Sequence, residues 1–479
     1  MIKKLYVILS FLSLIFIVAC SGNEQSSSTQ PQIVIPQELV IKGNTISFEA
    51  LEGAKNKAVI WEEGKEGTYQ YRVINSGTDI YSLNLTPAKY FMYLEISYNG
   101  QTVKTNTEEF TIQDLNAIGQ VEAEYMIDST VVKMIGRNYY DENKKAVMMY
   151  HSGSGFTVKF EGTSVTADLY ATNASTSWKR PYISIIVDND LENPRIVALE
   201  KMNYNDFILA EGLTEGEHEV TVIKRSEALD SFFGVKEVHT DGKFLPKEDK
   251  DLFIEILGDS TIAGYGNETK LVNGKYEDKT SANSNIMKTF AYVTAQELNA
   301  DYSIVCASGW GLTGSMWTTP QTVNLFETYR RYYATYDTLQ NKHVYSDENY
   351  KFSEGRVADI VIISVGTNDL YYIEDAYKQS NLLGEQRKQK FIDDYKELCT
   401  FISSIYNGVE IFMVYGAMGE TRMYSTVEAA YQNVSATMNN VHLVKLTGDQ
   451  GAIDYHPSAA SHVEMSSVLI QEIKKVKNL

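Results

Sequence analysis

From residue 250 onward, short apolar runs alternate with stretches of helical periodicity. The runs lie at 252–257, 302–306, 359–365, 409–415 and 441–446. Strands buried on both faces read as continuous apolar segments, and their alternation with helical patterns predicts a parallel sheet covered by helices. The last pattern places Met465, Leu469, Ile473 and Val476 on one helix face. Open sheets of this kind gather ligands at the carboxyl ends of their strands. The first run ends there in Gly258-Asp259-Ser260 and the third in Gly366-Thr367-Asn368-Asp369, while Asp454-Tyr455-His456-Pro457 follows the last.

A serine hydroxyl is a poor nucleophile at neutral pH unless a neighbouring imidazole takes its proton. Ser260 supplies the hydroxyl, and His456 is the base selected from seven histidines. Gly258 reads as a residue permitting a sharp exit from the strand. Taken singly, Gly-Asp-Ser also fits a strand-to-helix turn with Ser260 as its N-cap. Asn368 alone fits a turn cap.

A chain of 479 residues exceeds one ordinary domain, so two or three are expected. Residues 1–20 read as a targeting segment: Lys3 and Lys4 precede an apolar stretch, Leu5 to Val18, that is short for a membrane span. It ends Ile17-Val18-Ala19-Cys20, which resembles a bacterial lipobox. That resemblance implies lipidation of Cys20 and a cell-envelope, extracytoplasmic location, with residues 21–32 as a flexible tether. Residues 33–115 alternate with period two and carry a hairpin signal at Asn99-Gly100. They read as a small β-sandwich, loosely similar to immunoglobulin or fibronectin type III modules, and as a spacer rather than a sugar-binding unit. Trp61 is the residue whose placement bears on that choice.

A net charge of −19 opposes nucleic acid and anionic membrane surfaces as partners. Contact with a membrane is expected through the lipid anchor alone. The three cysteines, Cys20, Cys306 and Cys399, imply no disulfide framework; the latter two read as small buried hydrophobes. No spacing typical of a metal site stands out, and no cofactor is implied.

Gly-Asp-Ser, then Gly-Thr-Asn-Asp, then His-Pro, in this order, resembles the SGNH (GDSL-type) hydrolases. Within residues 116–247, Gly136-Arg137, Gly162-Thr163, Asp188 and Lys224-Arg225-Ser226-Glu227 narrow the resemblance to carbohydrate esterase family 2. It covers roughly residues 120–475. It implies a jelly-roll sandwich over 116–247 and an α/β/α hydrolase domain over 248–479. It also implies removal of O-acetyl groups from polysaccharides such as xylan or glucomannan through a serine acyl-enzyme. The oxyanion hole is then expected from the Ser260 N–H, the Asn368 side chain and the block Ala307-Ser308-Gly309-Trp310-Gly311, with Gly309 preferred over Gly311. Asp369 is read as a loop brace and His462 as structural. The family's usual acid lies three residues before the histidine, where this chain has Ile453. Either Asp454 or a backbone carbonyl is left to orient His456. Tyr455, Trp310 and Trp317 are candidate sugar platforms. Two other readings of the same residues stay open: another SGNH esterase or lipase, and a non-catalytic surface glycan-binding lipoprotein.

Overall fold

The computed structural model describes residues 35–42, 45–86, 88–112, 119–127, 129–315, 324–337, 342–353 and 355–479. Cys20 and Trp317 fall outside them.

Five strands form the C-terminal parallel sheet: β1 (Leu252–Gly258), β2 (Ala300–Cys306), β3 (Ile360–Ser364), β4 (Glu410–Tyr415) and β5 (Val441–Lys445). Their order across the sheet is β2-β1-β3-β4-β5. Alternate side chains face opposite layers. Leu257, Val361, Ile363, Ile411 and Met413 pack under the helices Asn381–Ile405 and Tyr424–Ser435. Ile254, Ile256, Ile362, Phe412 and Val414 pack under Phe290–Glu297 and Ala459–Lys477. The apolar runs are continuous because helices cover both faces of every strand. The chain leaves β1 toward β2 on one side and returns to β3 on the other. The crevice beyond the carboxyl ends of β1 and β3 is therefore the topological switch point.

Residues 120–245 form two antiparallel sheets around one core. Phe156, Val158 and Phe160 from one sheet meet Val165, Ala167 and Leu169 from the other. Residues 35–112 build a smaller unit from a three-stranded and a five-stranded sheet, with its own core. Asn99 (φ 49°) and Gly100 (φ 78°) form its two-residue hairpin turn, where both positions need positive φ.

The larger sandwich is locked to the parallel sheet by a buried ion pair. Arg137 Nη2 donates to Glu255 Oε1 of β1 at 2.8 Å, with both side chains at most 1% exposed. Arg137 also donates to the carbonyls of Tyr329 and Arg331, and Glu255 Oε2 accepts from the hydroxyls of Tyr329 and Tyr406. Removing one partner of such a pair strands the other charge in a dry site. Arg137→Ala is expected to lower the unfolding free energy by about 3–5 kcal/mol in urea titrations. The double variant Arg137→Met/Glu255→Leu should recover much of that loss, because no lone charge remains.

Candidate active site

Ser260 opens a four-residue helix, Ser260–Ala263, directly after β1. Asp259, not Ser260, is its N-cap: Asp259 Oδ1 accepts from the N–H and the hydroxyl of Thr261 at 3.0 and 2.9 Å. The Ser260 hydroxyl is thereby left free of capping duty. Gly258 serves by its size rather than by a left-handed exit. A Cβ there would lie 2.3 Å from Ile262 Cγ1 and 2.9 Å from the Ser364 carbonyl. Burial pushes the Asp259 carboxyl up to about 6.

His456 Nε2 lies 2.7 Å from Ser260 Oγ, and both residues are buried. The other ring nitrogen, Nδ1, is 3.1 Å from the carbonyl oxygen of Ile453. This corrects the assignment of Asp454 to the catalytic set. Its side chain turns away and accepts from the Tyr265 hydroxyl at 3.1 Å. The cause is local. Asp454 (φ 53°) and Tyr455 (φ 61°) both adopt left-handed backbone. That tight turn brings the Ile453 carbonyl under the ring and carries the Asp454 carboxylate outward. The Tyr265 ring stacks on the imidazole with centroids 4.5 Å apart. Burial lowers the His456 pKa, against the upward pull of the Ile453 carbonyl and the Asp454 charge.

The loops after β2 and β3 close the site. Asn368 Nδ2 donates to Asp259 Oδ2 at 3.2 Å and to the Trp310 carbonyl at 3.1 Å. Gly309 has φ 76°, the left-handed region that glycine adopts without strain. The Gly311 N–H is taken by the Gly314 carbonyl at 2.7 Å, which leaves it unavailable to a ligand. Asp369 accepts from the N–H groups of Leu312, Thr313 and Gly314 and so braces this loop.

Burial and contacts place three other candidates. Trp310 is fully buried and meets His343 edge to face, so it cannot present a ring to a sugar. Its indole fills the core beneath the loop while its carbonyl holds Asn368. Tyr455 is 72% exposed beside His456 and can offer its ring. His462 is buried; its Nδ1 accepts from the Phe290 N–H and burial drops its pKa to about 3.

Three further residues shape the site although the sequence reading gave none of them a role. Tyr265 packs on the imidazole. Glu227, from the sandwich, reaches across to accept from the Ser308 N–H at 3.0 Å, next to Gly309. Lys279 donates to Glu227 at 3.2 Å and to Asp230. Burial disfavours the Glu227 carboxylate, yet the Lys279 ammonium and the Ser308 hydrogen bond hold its pKa below the usual range. Glu227 was visible only as part of the Lys224–Glu227 segment, with no role attached.

A cavity of about 1050 Å³ lies elsewhere, between the sandwich and the parallel sheet, and none of Ser260, His456 or Asn368 lines it. Among the described residues, one grouping could offer three ligand atoms to a metal: Asp168, Glu237 and His239, on paired strands of the sandwich and outside this site.

A buried hydroxyl–imidazole pair at the switch point of a parallel α/β sheet is the arrangement that a serine hydrolase requires. Residues 134–247 match the carbohydrate esterase 2 N-terminal family. Over 335 residues the chain is 30% identical to the cellulase/esterase CelE of Acetivibrio thermocellus, covering 66% of this chain but only 37% of that protein. It is 25% identical over 350 residues to an acetylxylan esterase / glucomannan deacetylase of Cellvibrio japonicus, covering 72% of this chain and 88% of that one. A solved family two carbohydrate esterase from Cellvibrio japonicus superposes with a TM-score of 0.62 at 22% identity, covering 75% of this chain and 98% of that one. Another, from Clostridium thermocellum in complex with cellohexaose, gives 0.59 at 26% identity and covers 72% and 99%. Over the sandwich and the parallel-sheet domain the chain is thus similar in sequence and fold to family 2 carbohydrate esterases, while it spans little more than a third of CelE.

The environment of His456 sets its titration. Followed by NMR of the ring protons, the imidazole should titrate below its ordinary value of 6.5. Asp454→Asn should move the midpoint lower still, because the nearby carboxylate charge raises it. A midpoint unchanged by that substitution would remove Asp454 from any electrostatic role.

Proposed function

We propose that the chain removes O-acetyl groups from a polysaccharide such as xylan or glucomannan through a serine acyl-enzyme. The observation that carries this reading is the 2.7 Å contact between Ser260 Oγ and His456 Nε2, with a carbonyl behind the imidazole. Ser260 Oγ attacks the acetyl carbonyl carbon as its proton passes to His456 Nε2. The oxyanion lies among the N–H groups of Ser260 and Gly309 and the Asn368 amide. The first N–H of a helix has no acceptor within the helix, which suits Ser260 to this task. Asn368 must redirect one of its two donated hydrogens toward the oxyanion. His456 then gives its proton to the departing sugar oxygen. Water, deprotonated by His456, attacks the acyl carbon and releases acetate with Ser260 restored. Every step draws on groups of the chain and on water.

The substrate class rests on the relatives, two of which are named acetylxylan esterase / glucomannan deacetylase. Tyr455 supplies the sugar-facing ring at the mouth of the site. At its other end the chain is held by lipid on Cys20, on the extracytoplasmic side of a bacterial envelope. Among the described residues no helix is long and apolar enough to cross a membrane. Cys20→Ala should release the chain from the membrane fraction on cell fractionation; continued membrane retention would remove the anchor from this reading.

Acetate release from acetylated xylan and glucomannan tests the chemistry. Ser260→Ala should lose activity by a factor on the order of a million. Asn368→Ala should lose roughly a hundred- to a thousandfold. Asp454→Asn should lose less than about tenfold, since it does not orient the base. Equal release by wild type and Ser260→Ala would overturn the assignment of the nucleophile. Preference for long acyl chains would favour a lipase-like member of the same superfamily. Glycan binding without any release would favour a non-catalytic binder.

A further inference from the structure

The five-stranded sheet of the N-terminal unit has two faces of opposite purpose. Ala58, Ile60, Tyr90, Met92 and Leu94 turn inward to the core. The alternate positions turn outward and include the aromatic residues Trp61, Phe91 and Tyr93. Strand register sets Trp61 opposite Phe91, and Val59 opposite both Tyr71 and Tyr93. Trp61 is the hub. It stacks on Phe91 with centroids 5.7 Å apart, meets the edge of Tyr69 at 5.8 Å and lies 6.0 Å from Tyr93. Tyr69 and Tyr71 are 44% and 52% exposed. The core of this unit is complete on the other side of the sheet, so the outward rings are not needed to build it. A contiguous exposed patch of this kind marks a binding surface.

The charges around the rings select the partner. Lys57, Lys89 and Lys104 lie over the rings of Tyr71, Phe91 and Tyr93 at 4.3, 5.5 and 4.5 Å. Each is also paired with a carboxylate: Lys57 with Glu95, Lys89 with Glu63 and Glu109, Lys104 with Glu95. Three lysines thus face three glutamates and their charges cancel around the rings, although the chain carries −19. A charged partner would have to break these pairs; an uncharged one would not. Pyranose rings present apolar C–H faces that lie flat on aromatic rings, and hydroxyls that bond to such a fringe of ammonium, carboxylate and phenol groups. We propose that this aromatic face is a non-catalytic binding site for a neutral polysaccharide chain, separate from the Ser260 site. The residues that carry it, 57–109, lie outside the segment matched to the esterase family, and the proposal stands apart from the esterase reading.

The test is retention of the full chain on insoluble xylan, mannan and cellulose, measured by depletion. The double variant Tyr69→Ser/Tyr71→Ser should lose about tenfold or more in retention on the glycan that wild type binds, as should Trp61→Ala. Trp61 also packs within the patch, so the exposed tyrosine pair decides the outcome if Trp61→Ala unfolds; thermal melting followed by circular dichroism reports this. Turnover of a small soluble acetyl ester by the tyrosine variant should equal that of wild type, which separates this face from the Ser260 site. Three results would overturn the proposal: equal retention by wild type and the tyrosine variant, no retention of wild type on any of the three glycans, or loss of a concentration-dependent dimer in light scattering with retention unchanged. The last would assign the face to a second copy of the chain.

Discussion

The site depends on a carbonyl doing what a carboxylate more commonly does. With Ile453 O behind Nδ1, the imidazole of His456 is fixed in the tautomer that leaves Nε2 free to accept from Ser260. A carbonyl carries only a partial charge, so it orients the ring while stabilising an imidazolium less than a carboxylate would. The remaining support is indirect. Asp454 contributes its charge from outside the hydrogen-bond line, and Tyr265, held by Asp454, stacks on the ring. The turn that achieves this needs two successive left-handed residues, neither of them glycine. Such backbone costs on the order of 1–3 kcal/mol per residue and persists only where its surroundings hold it. The hydrogen bonds from Ile453 N to Thr269 Oγ1 and from Ala452 N to the His456 carbonyl are part of that hold.

The preceding sandwich is a structural component of the site and not simply its neighbour. Glu227 fixes the Ser308 N–H and thereby the loop that presents Gly309. Lys279 pins Glu227 and Asp230 and lies 5.2 Å over the Tyr265 ring. Arg225 pairs with Glu268 at 2.6 Å just beyond the Ser260 helix. These ties run from residues 225–230 into the two loops that flank Ser260, and Arg137 anchors the other side of the contact. Ile186 and Ile223 of the sandwich share a core with Ile254 and Ile304 of the sheet. Loosening the sandwich would therefore move the oxyanion loop before it disturbed Ser260 itself.

The parallel sheet was legible because its strands are buried on both faces, and burial on both faces leaves a continuous apolar run that needs no partner to be read. All five runs lie within two residues of strands in the structure. Ser260 and Asn368 were legible for a related reason, since strand ends are where the topology gathers polar groups, and His456 through the His-Pro pair that completes the order of motifs. What escaped depends on convergence between distant segments. Glu227 lies 33 residues upstream of Ser260 in another sheet system, and no periodicity announces where its carboxylate points. The hairpin Ala334–Asp337 and Lys342–Tyr345 is polar, short and tyrosine-rich, without a run long enough to read. Trp310 misled because a tryptophan in a glycine-rich loop gives no sign of whether its ring turns out to ligand or in to core. Asp454 stayed undecided against a backbone carbonyl because the direction of its side chain follows from φ at two residues, which sequence spacing does not encode.

Asn368 shows how tightly the remaining polar groups are bound to one another. Its amide spends both hydrogens, one on Asp259 Oδ2 and one on the Trp310 carbonyl. Asp259 in turn divides its carboxylate between this amide and the cap of the Ser260 helix. In the proposed mechanism a developing oxyanion competes with Asp259 for the same amide hydrogen. Burial weakens that competitor, since it raises the Asp259 pKa to about 6 and makes its charge costly to keep. The Trp310 carbonyl is the neutral anchor of the amide, accepting its other hydrogen. The buried tryptophan thus serves the site through its backbone, and its indole serves by keeping that backbone still.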